Sequence, residues 1–220
     1  MIATANCFLR RILLRAGAAA LALLVVAPAQ AQQEYTLAVK LTTALGAIEL
    51  ELYPDRAPIT VANFLSYVDA GYYNGAQFYR VVRMDNQLHS PVKIEVIQGG
   101  LGVASYEDDR EPEFPPIAHE TTQQTGLLHV DGTLSMARLA PGSATSEFFI
   151  CIGAQPSLDF GGARNPDGQG FAAFGQVTAG MEVVRAIQQR SSDAAVPEQR
   201  AAIRGQVLDE PVIIELAERL

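Results

Sequence analysis

Tryptophan is absent from this sequence, and cysteine and histidine are nearly so, with two Cys and three His in 220 residues. Cys7 lies in the N-terminal segment, so Cys151 is the single thiol of the remaining chain and cannot form an internal disulfide. It sits inside the stretch FFICIG and reads as a buried small apolar residue rather than a nucleophile. His89, His119 and His129 lack metal-ligand spacing, and solvated or capping roles suit them better. Asp108, Asp109 and Glu111 read as a solvated acidic loop before a calcium site. The GGLG at 99–102 has no parallel βαβ unit around it, which excludes a dinucleotide fingerprint. The residues therefore call for no metal and no cofactor.

Long apolar runs are also missing. Ala16 to Ala27 holds twelve apolar residues, where a bilayer span needs about 20. Arg10, Arg11 and Arg15 precede that run, and Pro28 followed by Ala29-Gln30-Ala31 ends it, in the pattern of a cleaved export signal over residues 1–31. The mature chain is then expected to be exported, without stable membrane insertion. Losing the signal removes three arginines and no acidic residue, leaving 13 Lys+Arg against 24 Asp+Glu and a net charge of −11. A chain this acidic, with no basic run, is a poor nucleic-acid binder.

What is present is alternation. YTLAVKLTTALGAIELELYP alternates apolar and polar residues on both sides of Thr43-Ala44-Leu45-Gly46, which predicts an antiparallel hairpin with Ile48, Leu50 and Leu52 on one face. Val61, Phe64, Leu65 and Val68 recur at helical spacing, with Gly71 placed to end that helix. AQFYRVV, IEVIQGG, the two ends of TLSMARLAPGSATSEFFI, FAAFGQV and EPVIIELA read as further strands, and Met181, Val184 and Ile187 mark a second amphipathic helix. Residues 83–93 and the acidic, proline-rich stretch from Tyr106 to Glu120 read as loops. The sequence shows no internal repeat and no linker between two cores. About eight short strands with an early and a late helix predict a mainly β fold, an antiparallel barrel or sandwich with helices over its open ends.

Several of these stretches resemble the cyclophilin-type peptidyl-prolyl isomerases. FYRVV is similar to the family's Phe-His-Arg strand, VIQGG to its Gln-Gly-Gly segment, and LSMAR with SATSEFFI to its Ser-Met-Ala and Ser-Gln-Phe-Phe-Ile segments. AAFGQVTAGMEVV is similar to its Val-Phe-Gly-Lys-Val strand and following helix, and ITVANF to its first helix. The blocks keep family order from about residue 36 to 217, and MAR and SATS are closest to periplasmic members from Gram-negative bacteria. The resemblance implies a closed eight-stranded antiparallel β-barrel capped by two helices, occupying residues 32–220 after the signal. It also implies an isomerase of X–Pro bonds that assists the folding of exported proteins in the periplasm, with proline-containing polypeptides as partners and a monomeric state.

By the same resemblance Arg80 is the catalytic residue. Val96, Phe149 and Leu158, with Phe171 opposite, form the proline pocket; Gln98 orients Arg80 or contacts the peptide; the main chain at Ala137 and Arg138 pairs with the residues before proline; and Glu147 faces the groove beside Phe149. The small-residue run LAPGSAT is expected to floor that groove. Three single residues and one segment depart from the family pattern. Glu147 replaces glutamine, Glu95 replaces phenylalanine and removes an aromatic wall, the segment from Val81 to Ile97 is longer, and Ser157 stands where tryptophan or phenylalanine is usual, which predicts weak cyclosporin binding. Glu95 and Glu147 motivate an alternative, a proline-peptide binding or chaperone module with little turnover. A barrel-type small-ligand carrier would suit the strands but leaves Arg80 without a role.

Overall fold

A computed structural model describes residues 34–88, 90–102 and 114–220 of the chain. The expected export signal (1–31), His89, Asp108, Asp109 and Glu111 lie outside the described residues. The elements run β1 (Leu37–Thr43), β2 (Gly46–Leu52), α1 (Pro58–Asp69), β3 (Gln77–Val82), β4 (Val96–Gly100), α2 (Thr122–Thr125), β5 (Thr133–Met136), β6 (Phe148–Cys151), β7 (Ala172–Ala179), α3 (Met181–Gln188) and β8 (Val207–Arg219). The eight strands close into an antiparallel barrel in the order β1-β2-β7-β5-β6-β4-β3-β8. Among the described residues, closure gives each of the eight strands a neighbour on both sides. The eight-stranded barrel and its two main helices match the expectation, and α2 adds a single turn that periodicity did not announce.

Alternation in the strands fills the barrel. Val39 and Leu41 of β1 and Ile48, Leu50 and Leu52 of β2 are buried in the same core as Leu134, Phe148, Ile150, Phe174 and Ile214. Helix α1 contributes Val61, Phe64, Leu65 and Val68 to that core. Pro58 opens the helix, where its missing N–H costs nothing. No local side chain caps it. Glu120 does so from 60 residues away, its carboxylate accepting from the Thr60 N–H at 2.8 Å and the Ile59 N–H at 3.2 Å. An anion at this end also meets the positive pole of the helix. Gly71, at φ 72°, takes the left-handed turn that follows the helix, as expected.

One irregularity sets the face on which chemistry can occur. Along β3, Phe78 pairs with Gly99 of β4 and Arg80 pairs with Gln98, so two residues of β3 step past one of β4. The pairing with β8 shifts at the same point. Tyr79 is the extra residue of a β-bulge, a device that re-aims side chains. Unbulged alternation from the buried Phe78 would turn Arg80 into the barrel. The bulge instead sends Tyr79 and Arg80 outward together and returns Val81 to the core.

Candidate active site

Strand register places the candidate residues in one transverse row on the outside of the barrel. Arg80 pairs with Gln98, Gln98 with Phe149, and Phe149 with Ser135. Val96 and Gln98 share a face of β4, as do Phe149 and Cys151 of β6, because side chains alternate along a strand. On this outer face a second, smaller apolar cluster forms from Val82, Ile94, Val96, Phe149, Cys151 and Leu158, with Ala137 and Phe171 packed against it. Phe149 meets Phe171 edge to face at 5.3 Å. The structure thus brings Val96, Phe149, Leu158 and Phe171 together beside Arg80. Ile94 belongs to the same wall and was missed by sequence reasoning. Glu95, the adjacent departure, points its carboxylate toward Gln188 of α3 at 3.5 Å, so an aliphatic residue one position earlier takes part in the wall.

The Arg80 guanidinium is held from two sides. Its Nη1 donates to Gln98 Oε1 at 2.8 Å, and its Nε and Nη2 both donate to Gln206 Oε1, at 3.0 and 2.6 Å. Gln98 continues the line, its Nε2 donating to the Tyr79 hydroxyl at 2.6 Å, and that hydroxyl donates to Glu147 Oε2 at 2.5 Å. The polarity of the chain is forced at both ends. An arginine can only donate and a carboxylate can only accept, so Gln98 must turn its oxygen to Arg80 and its amide nitrogen to Tyr79.

Glu147 is therefore linked to Arg80 through two side chains. It is 6 % exposed and also accepts from the Gly102 N–H at 3.2 Å and the Ser146 hydroxyl at 3.3 Å. Rather than presenting a carboxylate to the groove, as strand alternation suggested, it forms a buried anchor behind the row. Burial raises its pKa above the ordinary carboxylate value, against the pull of the Tyr79, Gly102, Ser146 and Leu101 donors. Gly100 lets this happen, since a Cβ there would lie 2.5 Å from Glu147 Oε1.

Arg138 is also committed within the protein. It grips Asp167 with two N–H groups at 2.8 and 2.9 Å, donates to the Gly170 carbonyl, and lies over the Phe171 ring at 5.1 Å. These contacts tie the loop carrying Phe171 to the end of β5, and they hold the Asp167 carboxyl down at about 2. The Ala137 N–H donates to the Glu147 carbonyl at 2.8 Å, so that donor is already engaged. The run 139–145 divides in two. Leu139 to Gly142 form an exposed turn, while Ala144 bridges to Ile117 and the Thr145 carbonyl accepts from Asn63, which docks only the second half.

His129 departs from the solvated or capping role expected of it. It is 1 % exposed, with Nδ1 2.7 Å from Asp159 Oδ1 and Nε2 2.9 Å from the Ser135 hydroxyl. The connectivity resembles a nucleophile relay, but Ser135 is fully buried and the imidazole lies parallel to the Phe149 ring at 6.0 Å. No carbonyl can reach that hydroxyl. The line serves as a strut behind Phe149. Burial pushes the Cys151 thiol up, which suits an inert pocket residue. Among the described residues no group of three or more His, Cys, Asp or Glu is arranged to hold a metal, and no helix is long and apolar enough to cross a membrane.

The sequence pattern described as cyclophilin type peptidyl-prolyl cis-trans isomerase/CLD matches residues 38–207. Peptidyl-prolyl cis-trans isomerase A of Dickeya dadantii is 37 % identical over 180 residues, covering 81 % of this chain and 82 % of that protein. Peptidyl-prolyl cis-trans isomerase B of Escherichia coli is 36 % identical over 171 residues, covering 77 % and 92 %. Among solved structures, a Cryptosporidium parvum cyclophilin type peptidyl-prolyl cis-trans isomerase shares the fold at a TM-score of 0.62 and 21 % identity, covering 84 % of this chain and 98 % of that one. The chain belongs to the cyclophilin-type peptidyl-prolyl cis-trans isomerases.

Proposed function

We propose that this protein catalyses rotation about X–Pro peptide bonds with Arg80 as its catalytic residue, and that it does so on exported proteins as they fold. Amide resonance opposes the rotation by about 18–20 kcal/mol. Twisting the bond returns the lone pair to the prolyl nitrogen, and a fixed N–H donor aimed at that nitrogen stabilises the twisted state more than the planar one. No bond breaks, so neither nucleophile nor cofactor is required. The carrying observation is the outer row in which Arg80, braced by Gln98 and Gln206, stands beside the closed apolar cluster of Phe149, Val96, Ile94, Leu158 and Phe171. That cluster takes the proline ring out of water and leaves the guanidinium at its rim. A second solved form of the C. parvum relative was obtained in the presence of the dipeptide Ala-Pro, which supports a proline ligand for this groove.

The main chain at Arg138 and the Ala137 carbonyl then receive the residues before proline as an added strand. Export to the periplasm rests on the Arg10 to Ala31 pattern, and the monomeric reading on the grouping of Arg80 and the apolar cluster within one chain. The test is a protease-coupled isomerisation assay on a short X–Pro peptide, comparing the mature chain with Arg80→Ala. Loss of one such donor is expected to lower kcat by about 10²–10³ while peptide affinity changes little. A folded wild-type protein that binds the peptide without turning it over would instead establish the binding-module alternative.

A further inference from the structure

Gln206 lies outside the short motifs that carry the family resemblance, though within the span matched by the family pattern, and it takes two of the three guanidinium bonds described for Arg80. It is 3 % exposed and sits one residue before β8, 126 residues from its partner. We infer that Gln206 is a positioning residue for the isomerase reaction, fixing the plane of the Arg80 guanidinium and thereby the direction of the N–H that meets the prolyl nitrogen. The inference rests on the reading of Arg80 given above.

Geometry separates this role from that of a buried amide that is merely satisfied. Because arginine only donates, the atom facing it must be the amide oxygen. That leaves the Gln206 Nε2 pointing away, and it donates to the Asn86 carbonyl at 3.1 Å. The amide is thus fixed in one orientation by partners at both ends. Its main chain is fixed as well, since the Gln206 carbonyl accepts from the Val81 N–H at 2.8 Å and the Gln206 N–H donates to the Ile203 carbonyl at 3.0 Å. Nε and Nη2 define one edge of the guanidinium plane, and one oxygen receives both. Gln98 takes Nη1 on the other side. Two acceptors on two sides hold a planar fork against rotation about its last torsions, where a single acceptor would leave a hinge.

The 83–93 loop, within the 81–97 segment read from the sequence as longer than the family connection, supplies the support. Asn86 donates to the carbonyls of Val81 and Gly205, the neighbours of Arg80 and Gln206, and its Oδ1 accepts from the Arg83 N–H. Arg83 anchors the loop to the Gln188 and Arg190 carbonyls and the Ser192 hydroxyl. Arg164 anchors its other side through Gln87, Ser90 and the Val92 carbonyl. The loop therefore braces the arginine from behind.

The test is a double-mutant cycle of Gln206→Met with Arg80→Ala, read by kcat and KM on an X–Pro peptide. Gln206→Met keeps the length of the side chain and removes its oxygen. We expect kcat to fall on the order of 10- to 100-fold, as misplaced catalytic groups do, with KM nearly unchanged. In the Arg80→Ala background the same change is expected to have no further effect. The Arg80 Nε–H resonance in an ¹⁵N-labelled sample should move and exchange faster with water in Gln206→Met. If that variant does not fold, Gln206→Asn, which withdraws the amide by one methylene, takes its place in the cycle. An equal loss in both backgrounds, or full turnover with Gln206 altered while Arg80→Ala is inactive, overturns the inference and leaves the Arg80 reading standing. Full activity of Arg80→Ala itself overturns both.

Discussion

Phe148 and Phe149 are neighbours on β6 and inhabit different worlds. Phe148 points into the barrel, where it meets Phe64, Tyr73 and Phe78 edge-on at 5.4 to 5.8 Å. Phe149 points outward into the small cluster, between the His129 imidazole and the Phe171 ring. Both are almost wholly buried, at 0 % and 5 % exposure. The difference lies in what does the burying. Phe148 is enclosed by strands and α1, the most interconnected part of the fold. Phe149 is covered from outside the barrel by residues carried on loops, including Ile94, Leu158 and Phe171. Burial alone does not distinguish core from site in this protein; the nature of the cover does.

The largest expected effect tests the inner side of that contrast. Phe148→Ala should cost about 3–5 kcal/mol of stability, the usual penalty for a phenylalanine-sized core deletion. Urea unfolding would show this, and turnover per folded molecule should remain close to wild type. If turnover falls further than the folded fraction does, the two faces of β6 are not separable. Phe149→Ala should behave oppositely. Its stability loss should be clearly smaller, because loops can settle over the gap, while kcat/KM falls by about 10- to 100-fold through lost contact with the proline ring. A Phe149→Ala protein as unstable as Phe148→Ala would abolish the distinction.

The smallest effect concerns pH. Burial raises the Glu147 pKa above its unfolded value, so between those two values the folded chain binds the extra proton more tightly. Its contribution to stability is complete below the ordinary carboxylate range and declines as pH rises through the folded value. Glu147→Gln, which cannot titrate, should flatten this slope on the alkaline side of pH 4.5. Parallel stability–pH curves for the two proteins would mean that Glu147 is not the buried anchor described here.

Much of the fold is legible in the sequence because strand alternation and helical spacing are local signals. The β1–β2 hairpin, the α1 face at Val61, Phe64, Leu65 and Val68, and the end of that helix near Gly71 all follow from neighbours within a few residues. The grouping of Val96, Phe149, Leu158 and Phe171 came from the family resemblance, since nothing in their spacing joins four separate segments. Gln206 and Ile94 escaped because their partners are fixed by tertiary register and loop path. Glu147 was misplaced for a related reason. Alternation gives the side of a strand, but not that the Leu101-Gly102 main chain closes over that side. His129 was misjudged because its burial depends on Asp159, thirty residues away.

The bulge at Tyr79 has a further consequence, best stated as parity. A strand assigns its residues to inside and outside by odd and even count, and Tyr79 is the added one that shifts the count for everything after it. Arg80 stands on the outer face because the bulge absorbs one residue of that count, independently of what the residues before it are. Exchanges of one apolar residue for another within β3 leave the count intact, so this segment can drift in composition while Arg80 stays on the outer face. Pairing the same residues without the bulge would carry a guanidinium into the hydrocarbon interior and turn Val81 outward, whereas deleting Tyr79 would remove the bulge and leave Arg80 outside and Val81 inside. The placement of Arg80 is thus robust to spelling changes and sensitive to the register in which β3 meets β4.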